Sequence, residues 1–596
     1  MKKHLQRGRT MFKSLKPLLK YFKKYKWGYI LGIFFLLFID VVQLYIPQIL
    51  KYFANDYQRG VLTMASATKY AILTIVTGLM VAVARYFWRN FIIGNSMRVD
   101  YDLRKDFFWK LTSLSQNFFN THKTGDLMSL AINDINAVRM TLGQGIIMFI
   151  DSTFLLILNL IMMIVTTNVL FASKVLFTIP LIILLVTRFG GVIHSYFKAV
   201  QAQYGKITDR AQENFSGIRI IKAFGQEEEN EKLFREENQK YYDKNIELAK
   251  LQSFFNPFIQ VLSNLSYLFL LFFGAKEVMA GTMLLGDFIA FNAYLGLMMW
   301  PARALGMVIV FMQKGAASMD RLTNIFKTQP EIVDGADAIE LDNIKGEIEF
   351  KNVSFKYAKD LPYALKDISF KIEPGKTLAI LGRTGSGKSS IVNVLLRLYD
   401  LDQGEILVDG HNIKDLTLNS LRENISYVPQ DDFLFSKTVK ENIEFHYEEE
   451  LDMAMIEKYA KIAGVYDDVM DFKDGFDTIL GERGVTLSGG QKQRVSIARA
   501  LAKEKNVLIM DDSLSAVDTQ TEEKILKNLS QDEGHVSKII ISHRVSTIQD
   551  ADEILFIEDG AIVERGTHDE LVKLGGRYEK LYEDQLLEQK INRGDE

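Results

Sequence analysis

Apolar and polar positions follow two regimes along the chain. Over the first 320 or so residues, six long apolar stretches stand at 27–48, 70–91, 143–167, 169–193, 255–276 and 286–312. Each is long enough to cross a bilayer as a helix. The joins between them are lopsided. The outward joins are short, the middle one being little more than Thr167–Asn168, whereas the inward segments 92–142 and 194–254 each exceed 50 residues. Within these, Arg98–Leu114 and Tyr196–Phe215 keep helical spacing, with few glycines and no proline. The spans are therefore expected to continue as helices into the cytosol. Each inward segment must turn near its middle, at Asn120–Asp126 (NTHKTGD) and Phe215–Gln226 (FSGIRIIKAFGQ). These turns are either docking points for a further cytosolic domain or plain surface loops.

Six spans leave both termini on one side. Lys2, Lys3, Arg7, Arg9, Lys13, Lys16, Lys20, Lys23, Lys24 and Lys26 crowd the approach to the first span and mark that side as cytoplasmic. Lys13–Lys26 reads as an amphipathic helix on the inner leaflet or as a solvated charge run. Asp40, Arg85, Asp151, Arg188 and Arg303 fall within or near the ends of spans, where ionisable groups mark function or pairing. Asp40 and Asp151 either face a substrate cavity, or pair between helices or snorkel, and Arg188 is expected to snorkel. Pro47, Pro180, Pro257 and Pro301 either kink spans or are tolerated there.

The second regime begins after Arg321. Thr328–Asn343 is polar and reads as a linker, and from Gly346 short β-rich runs alternate with helices. The expected fold is an all-α six-helix membrane domain followed by an α/β domain. The boundaries are a basic segment 1–26, a membrane domain 27–327, a linker 328–345 and the α/β domain 346–596. A net charge of −3 weighs against nucleic-acid binding. With no cysteine, disulfides, thiolate metal sites and a cysteine nucleophile are excluded, and the eight histidines show no HExxH spacing. The first apolar run starts late and is too long for a cleavable signal, so none is expected.

The chemistry lies in the second half. Leu378–Leu381 is a short apolar strand, Ser389–Leu398 a good helix, and between them Gly382, Arg383, Thr384, Gly385, Ser386, Gly387, Lys388 and Ser389 spell GRTGSGKS. Strand, glycine loop and helix form a phosphate cradle for ATP, with Ser390 in its first helical turn. Backbone N–H groups turn inward and the helix dipole adds to them. Lys388 is suited to β/γ charge and Ser389 to Mg²⁺. Val507–Met510 is an apolar strand ending in Asp511 and Asp512. Asp511 suits the Mg²⁺ water shell, and Asp512 stands where a base orients the attacking water. Leu487–Gln491 (LSGGQ) opens a second helix, so Ser488, Gly489, Gly490 and Gln491 form another anion-binding terminus. That terminus does not easily reach the same phosphates without crossing the domain. Two protomers placed head to tail resolve this, each lending LSGGQ to the other's nucleotide.

With these motifs together, the chain resembles an ATP-binding cassette (ABC) exporter of the half-transporter kind over essentially its whole length. The resemblance implies further roles. Tyr357 matches the aromatic that stacks on adenine. Gln430 matches the Q-loop glutamine, which touches Mg²⁺ or water and senses the membrane helices. Ser515–Asp518 (SAVD) resembles the D-loop, and His543 matches the switch histidine that holds the γ-phosphate. Asn120–Asp126 and Phe215–Gln226 fall where the family has its two coupling helices. One position departs from the pattern: the family usually has glutamate after the strand-end aspartate, and this chain has Asp512. A weakly hydrolytic site is expected, as in the degenerate subunit of heterodimeric bacterial multidrug exporters. A homodimer using Asp512 as a slower base, and an ATP-gated channel or sensor on the same frame, stand as alternatives. The implied surroundings are the plasma membrane, a second half-transporter, lipids and an amphipathic cargo.

Overall fold

The computed structural model describes residues 13–447, 450–481, 484, 486–531 and 535–593. The chain divides into two compact units. One holds Met1–Thr112 and Thr124–Thr328, the other Ser113–Lys123 and Gln329–Glu596.

The first unit is helical. Among the described residues, four helical stretches are long and apolar enough to cross a membrane: Lys26–Gln58, Met64–Thr112, Thr124–Thr166 and Glu227–Met279. The remaining two expected stretches lie on helices Val169–Leu176 and Thr178–Ser216, and on helix Leu285–Lys327. Both regions include side chains outside the described residues, that of Arg303 among them. Met64–Thr112 contains 49 residues. At the helical rise that is about 74 Å, more than twice the ~30 Å hydrocarbon core, so the helix runs well beyond the bilayer. Its apolar part exposes Ile72, Ile75, Leu79 and Val83, side chains that suit a lipid neighbour.

Lys13–Lys26 is a fastened helix rather than a free charge run. A 3₁₀ turn, Lys16–Leu18, leads into helix Leu19–Lys24. Lys20 Nζ and Tyr21 Oη donate to Asp106 at 2.7 and 2.6 Å, and one turn along Lys24 Nζ and Tyr25 Oη donate to Asp102 at 2.6 and 2.9 Å. Of the span charges, Asp40 is fully buried, while Arg85 and Arg188 are exposed. Pro257 and Pro301 lie inside helices.

The second unit contains strands β1 (Ile348–Phe355), β2 (Leu365–Ile372), β3 (Thr377–Leu381), β4 (Gln403–Val408), β5 (His411–Asn412), β6 (Ile425–Val428), β7 (Val507–Asp511), β8 (Ser537–Ser542), β9 (Glu553–Glu558) and β10 (Ala561–Gly566). A four-stranded antiparallel sheet has the order β2-β1-β4-β5, and a six-stranded sheet the order β10-β9-β3-β8-β7-β6. In the larger sheet every neighbouring pair is parallel except β9 and β10. Parallel strands are covered on both faces, which explains why β7 is buried at every position and reads as an apolar run up to its last residue, Asp511.

Two apolar cores divide this unit. One joins both sheets to helix Lys388–Leu395 through Ile391, Val392 and Leu395. The other gathers helices Met453–Ile462 and Gly489–Ala502 around Val495, Ile497 and Ala498. Residues Ser113–Lys123 also pack within this unit. Asn120 Nδ2 donates to Tyr399 Oη at 2.7 Å, and Ser115 Oγ accepts from the Glu331 and Ile332 N–H groups at 2.9 and 3.0 Å. The stretch read as a linker is engaged as well: Leu341 N–H donates to Ser420 Oγ at 2.7 Å.

Candidate nucleotide site

The glycine loop leaves the buried end of β3 and enters helix Lys388–Leu395, the strand–loop–helix order that the residue pattern predicts. Two of its glycines are demanded by space as well as by flexibility. A Cβ on Gly382 would lie 2.2 Å from the Ile557 carbonyl oxygen, and one on Gly387, whose φ is +104°, would lie 2.4 Å from that of Ala364. No other residue type fits at either position without moving backbone. Ser386 Oγ is buried in the loop without a hydrogen-bond partner. Arg383, Thr384 and Gly385 form the exposed crest.

Lys388 folds back over the loop, its Nζ donating to the carbonyls of Gly382 and Arg383 at 2.8 and 3.0 Å. Burial pushes its ammonium pKa down, against the pull of Asp512 and Asp511. Phosphate oxygens arriving at the loop would stabilise the charged form. Ser389 Oγ donates to Asp511 Oδ1 at 3.1 Å, joining the helix start to the end of β7. Asp511 is buried, and burial pushes its carboxyl pKa up while the Ser389 hydroxyl opposes this. A hydroxyl and a carboxylate this close are hard oxygen donors and fit Mg²⁺, which takes few protein ligands and completes its shell with phosphate and water.

Asp512 follows with a left-handed backbone, φ +48°, and its N–H donates to the Ile541 carbonyl at 2.9 Å. Aspartate tolerates this region better than most residues. Its carboxylate lies 2.7 Å from His543 Nδ1, so two residues singled out separately in the sequence form one pair. Both are partly exposed. Next to His543, Arg544 binds the buried Glu522 at 3.0 Å and the Ser515 carbonyl at 3.0 Å, tying the histidine loop to the SAVD segment. Sequence patterning gives no hint of Glu522, which reads as one polar residue in a polar helix.

The other expected contacts are distributed more widely. Tyr357 Oη lies 2.9 Å from Ser390 Oγ and accepts from Asn393 Nδ2 at 3.1 Å, and its ring meets Phe355 and Tyr399 edge-on. The buried Ser390 hydroxyl is thus directed at Tyr357. Gln430 is exposed just beyond β6.

Ser488 caps helix Gly489–Ala502 in a reciprocal box. Gln491 N–H donates to Ser488 Oγ at 3.3 Å, and Ser488 N–H donates to Gln491 Oε1 at 3.0 Å. Gln491 Nε2 also donates to Asp468 at 2.9 Å, a carboxylate that Arg494 binds at 2.8 Å. A Cβ on Gly490 would lie 2.9 Å from the Ala516 carbonyl oxygen, so this glycine permits close contact with the SAVD segment. The cap is built on the helical core and the phosphate cradle on the sheet core. Of the GERGVT stretch before it, residues 482, 483 and 485 lie outside the described residues.

Comparison with known proteins agrees with this architecture. Residues 29–302 match the family model of the ABC transporter transmembrane region, and residues 365–515 that of the ABC transporter. The chain is 37% identical to the probable multidrug resistance ABC transporter ATP-binding/permease protein YheI of Bacillus subtilis (strain 168), over 97% of this chain and 98% of that one. It is 34% identical to the multidrug resistance-like ATP-binding protein MdlA of Escherichia coli (strain K12), over 95% and 96%. It is also 34% identical to the ATP-dependent lipid A-core flippase of Syntrophus aciditrophicus (strain SB), over 85% and 84%. Among solved structures, a bacterial Atm1-family ABC exporter with ATP bound superposes with a TM-score of 0.78 at 25% identity, covering 95% of this chain and 98% of that one.

Proposed function

The chain belongs to the ABC transporter family as an exporter, and from that footing we propose that it is one half of a two-chain pump whose own ATP site hydrolyses slowly. ATP binding and hydrolysis drive transport across the inner membrane. The cargo class we assign is amphipathic: small molecules, lipids or peptides. Relatives named for multidrug resistance and for lipid A-core flipping support that range.

One observation carries the two-chain reading. The phosphate cradle and the Ser488 cap rest on different cores of the same unit. A second protomer supplies the missing cap to the nucleotide held on Gly382–Ser389. The two cytosolic turns agree with this. The first is packed within the ATP-binding unit, whereas the second, helix Ile218–Ala223, leaves Phe215, Ile220 and Phe224 exposed. The ATP-binding unit of the second protomer is the apolar cover we assign to them.

In this mechanism Lys388 leaves the loop carbonyls for the β/γ-phosphates, and backbone N–H groups of the loop hold the remaining charge. Tyr357 lies against the adenine. Mg²⁺, held by Ser389, with Asp511 and Gln430 acting through its water shell, would neutralise charge on the phosphates. Asp512 orients the attacking water and His543 faces the γ-phosphate. Asp512 is one methylene shorter than the glutamate usual in the family, so its carboxylate stands back from the water. Closure over ATP must favour the outward-open membrane unit more than the inward-open one, since a ligand shifts only an equilibrium whose states it distinguishes. The Asp512–His543 contact favours a second reading, a homodimer in which Asp512 is the base.

The deciding experiment is ATP hydrolysis and cargo uptake in inverted vesicles, with this chain alone and with its genomic neighbour. Low turnover alone and high turnover with a second six-span ATPase are expected. High turnover alone supports the homodimer. Ion current without accumulation refutes the pump.

A further inference from the structure

The last helix reaches back to the catalytic loop. Helix Arg577–Arg593 begins under Glu564, whose carboxylate accepts from the N–H groups of Arg577 and Tyr578 at 2.6 and 2.9 Å. An acidic group at a helix start is stabilised there by the orphan N–H groups and the dipole. Tyr578 is fully buried, with its Oη 2.7 Å from His568 Nδ1. It packs with Leu581 and Tyr582 against a core containing Val545 and Ile548. Residues 578, 581, 582 and 585 follow the i, i+3, i+4, i+7 spacing of one helical face. The fourth of them is Gln585, which is polar.

Gln585 uses both ends of its amide. Nε2 donates to the His543 carbonyl at 2.7 Å, and Oε1 accepts from the Val545 N–H at 2.8 Å. The two backbone groups flank Arg544, so a single side chain grips the loop on both sides of one residue. At the other edge of that loop, His543 Nδ1 meets Asp512. Neither backbone group belongs to a sheet or helix ladder, and without the amide they would need water. We propose that Gln585 is a positioning residue for hydrolysis: the C-terminal helix delivers an amide clamp that sets the backbone from which His543 is presented to the nucleotide. The inference rests on the reading of His543 given above.

The test uses the full-length transporter in lipid nanodiscs with whatever partner co-purifies. Single-turnover ATP hydrolysis at this chain's site is measured alongside ATP affinity and melting temperature. Gln585→Met keeps length and apolar packing but removes both hydrogen bonds. Gln585→Glu keeps the acceptor for Val545 and loses the donor to His543. The methionine variant is expected to hydrolyse on the order of tenfold more slowly, with unchanged ATP affinity and melting temperature. The glutamate variant is expected to fall between it and the parent. Hydrogen exchange in the peptide containing Val545 should rise in the methionine variant. In a His543→Ala background the methionine change should add nothing.

If Gln585→Met turns over at the parental rate while His543→Ala is impaired, the clamp is refuted and the role of His543 stands. If His543→Ala turns over at the parental rate, both fall. A loss that persists undiminished in the His543→Ala background places the effect elsewhere and also overturns the clamp. Should the methionine variant lose melting temperature as well as rate, parental turnover in the correctly folded Gln585→Glu protein, which has lost the donor to His543, would overturn it.

Discussion

Lengthening Asp512 by one methylene tests the catalytic reading most directly. Its left-handed backbone and the N–H bond to Ile541 fix where the side chain starts, and its carboxylate now stops at His543 Nδ1, 2.7 Å away. Glutamate would carry the carboxylate about one C–C bond, ~1.5 Å, further out. Misplacement on the ångström scale costs on the order of 10²-fold, or ~2.7 kcal/mol of barrier, so Asp512→Glu should return up to that factor. If the carboxylate acts on the attacking water as proposed, the gain belongs in kcat and not in ATP affinity, so KM for ATP should stay within about twofold. The assay is steady-state phosphate release by the purified transporter across ATP concentrations, with Asp512→Asn as the control that removes the base without changing size. Turnover that does not rise in the glutamate variant would refute the geometric argument. An unchanged rate in the asparagine variant would exclude Asp512 from the reaction.

Four further outcomes follow. Gly387→Ala places a methyl group against the Ala364 carbonyl at a positive φ, and should cost ~1–3 kcal/mol of stability and abolish ATP photolabelling. Asn120→Ala removes the bond to Tyr399 and should cost about 1 kcal/mol of the docking of residues 113–123, leaving basal ATPase intact while cargo-stimulated ATPase falls. Burial pushes the Asp432 carboxyl up to about 7, against the pull of Arg499 and Lys492. A raised carboxyl pKa contributes stability at low pH that is lost as pH rises toward 7. Asp432→Asn should therefore melt at the parental temperature at pH 4 but be more stable at pH 8, by about 1–2 kcal/mol after discounting for partial exposure. Because the chain has no cysteine, single labels can be placed at will. A photo-cross-linker on a cysteine at position 224 should yield a product of two-chain mass, and only a one-chain product would remove the second turn from the interface.

The sequence determined the division into an apolar helical half and an α/β half, because membrane length and buried parallel strands both demand long or unbroken apolar runs that few other arrangements produce. It also determined the cradle. Gly382 and Gly387 are required by backbone geometry that side chains forbid, and the Lys388–Ser389 pair follows from phosphate chemistry at a helix start. Set against the glutamate usual in the family, Asp512 is one methylene short in the sequence itself. Tertiary structure alone decided which distant residues meet. Asp512 reaches His543 because β7 and β8 lie side by side, a strand order that apolar runs do not encode. Asn120 meets Tyr399, 279 residues further along the chain, and Ser115 of the same segment meets the backbone of Glu331 and Ile332. Gln585 looks like one more polar residue in a charged terminal helix until the fold sets its amide against the His543 loop. Periodicity reports which face of an element is buried. It carries no information about which backbone groups lie opposite that face, which here are the His543 carbonyl and the Val545 N–H.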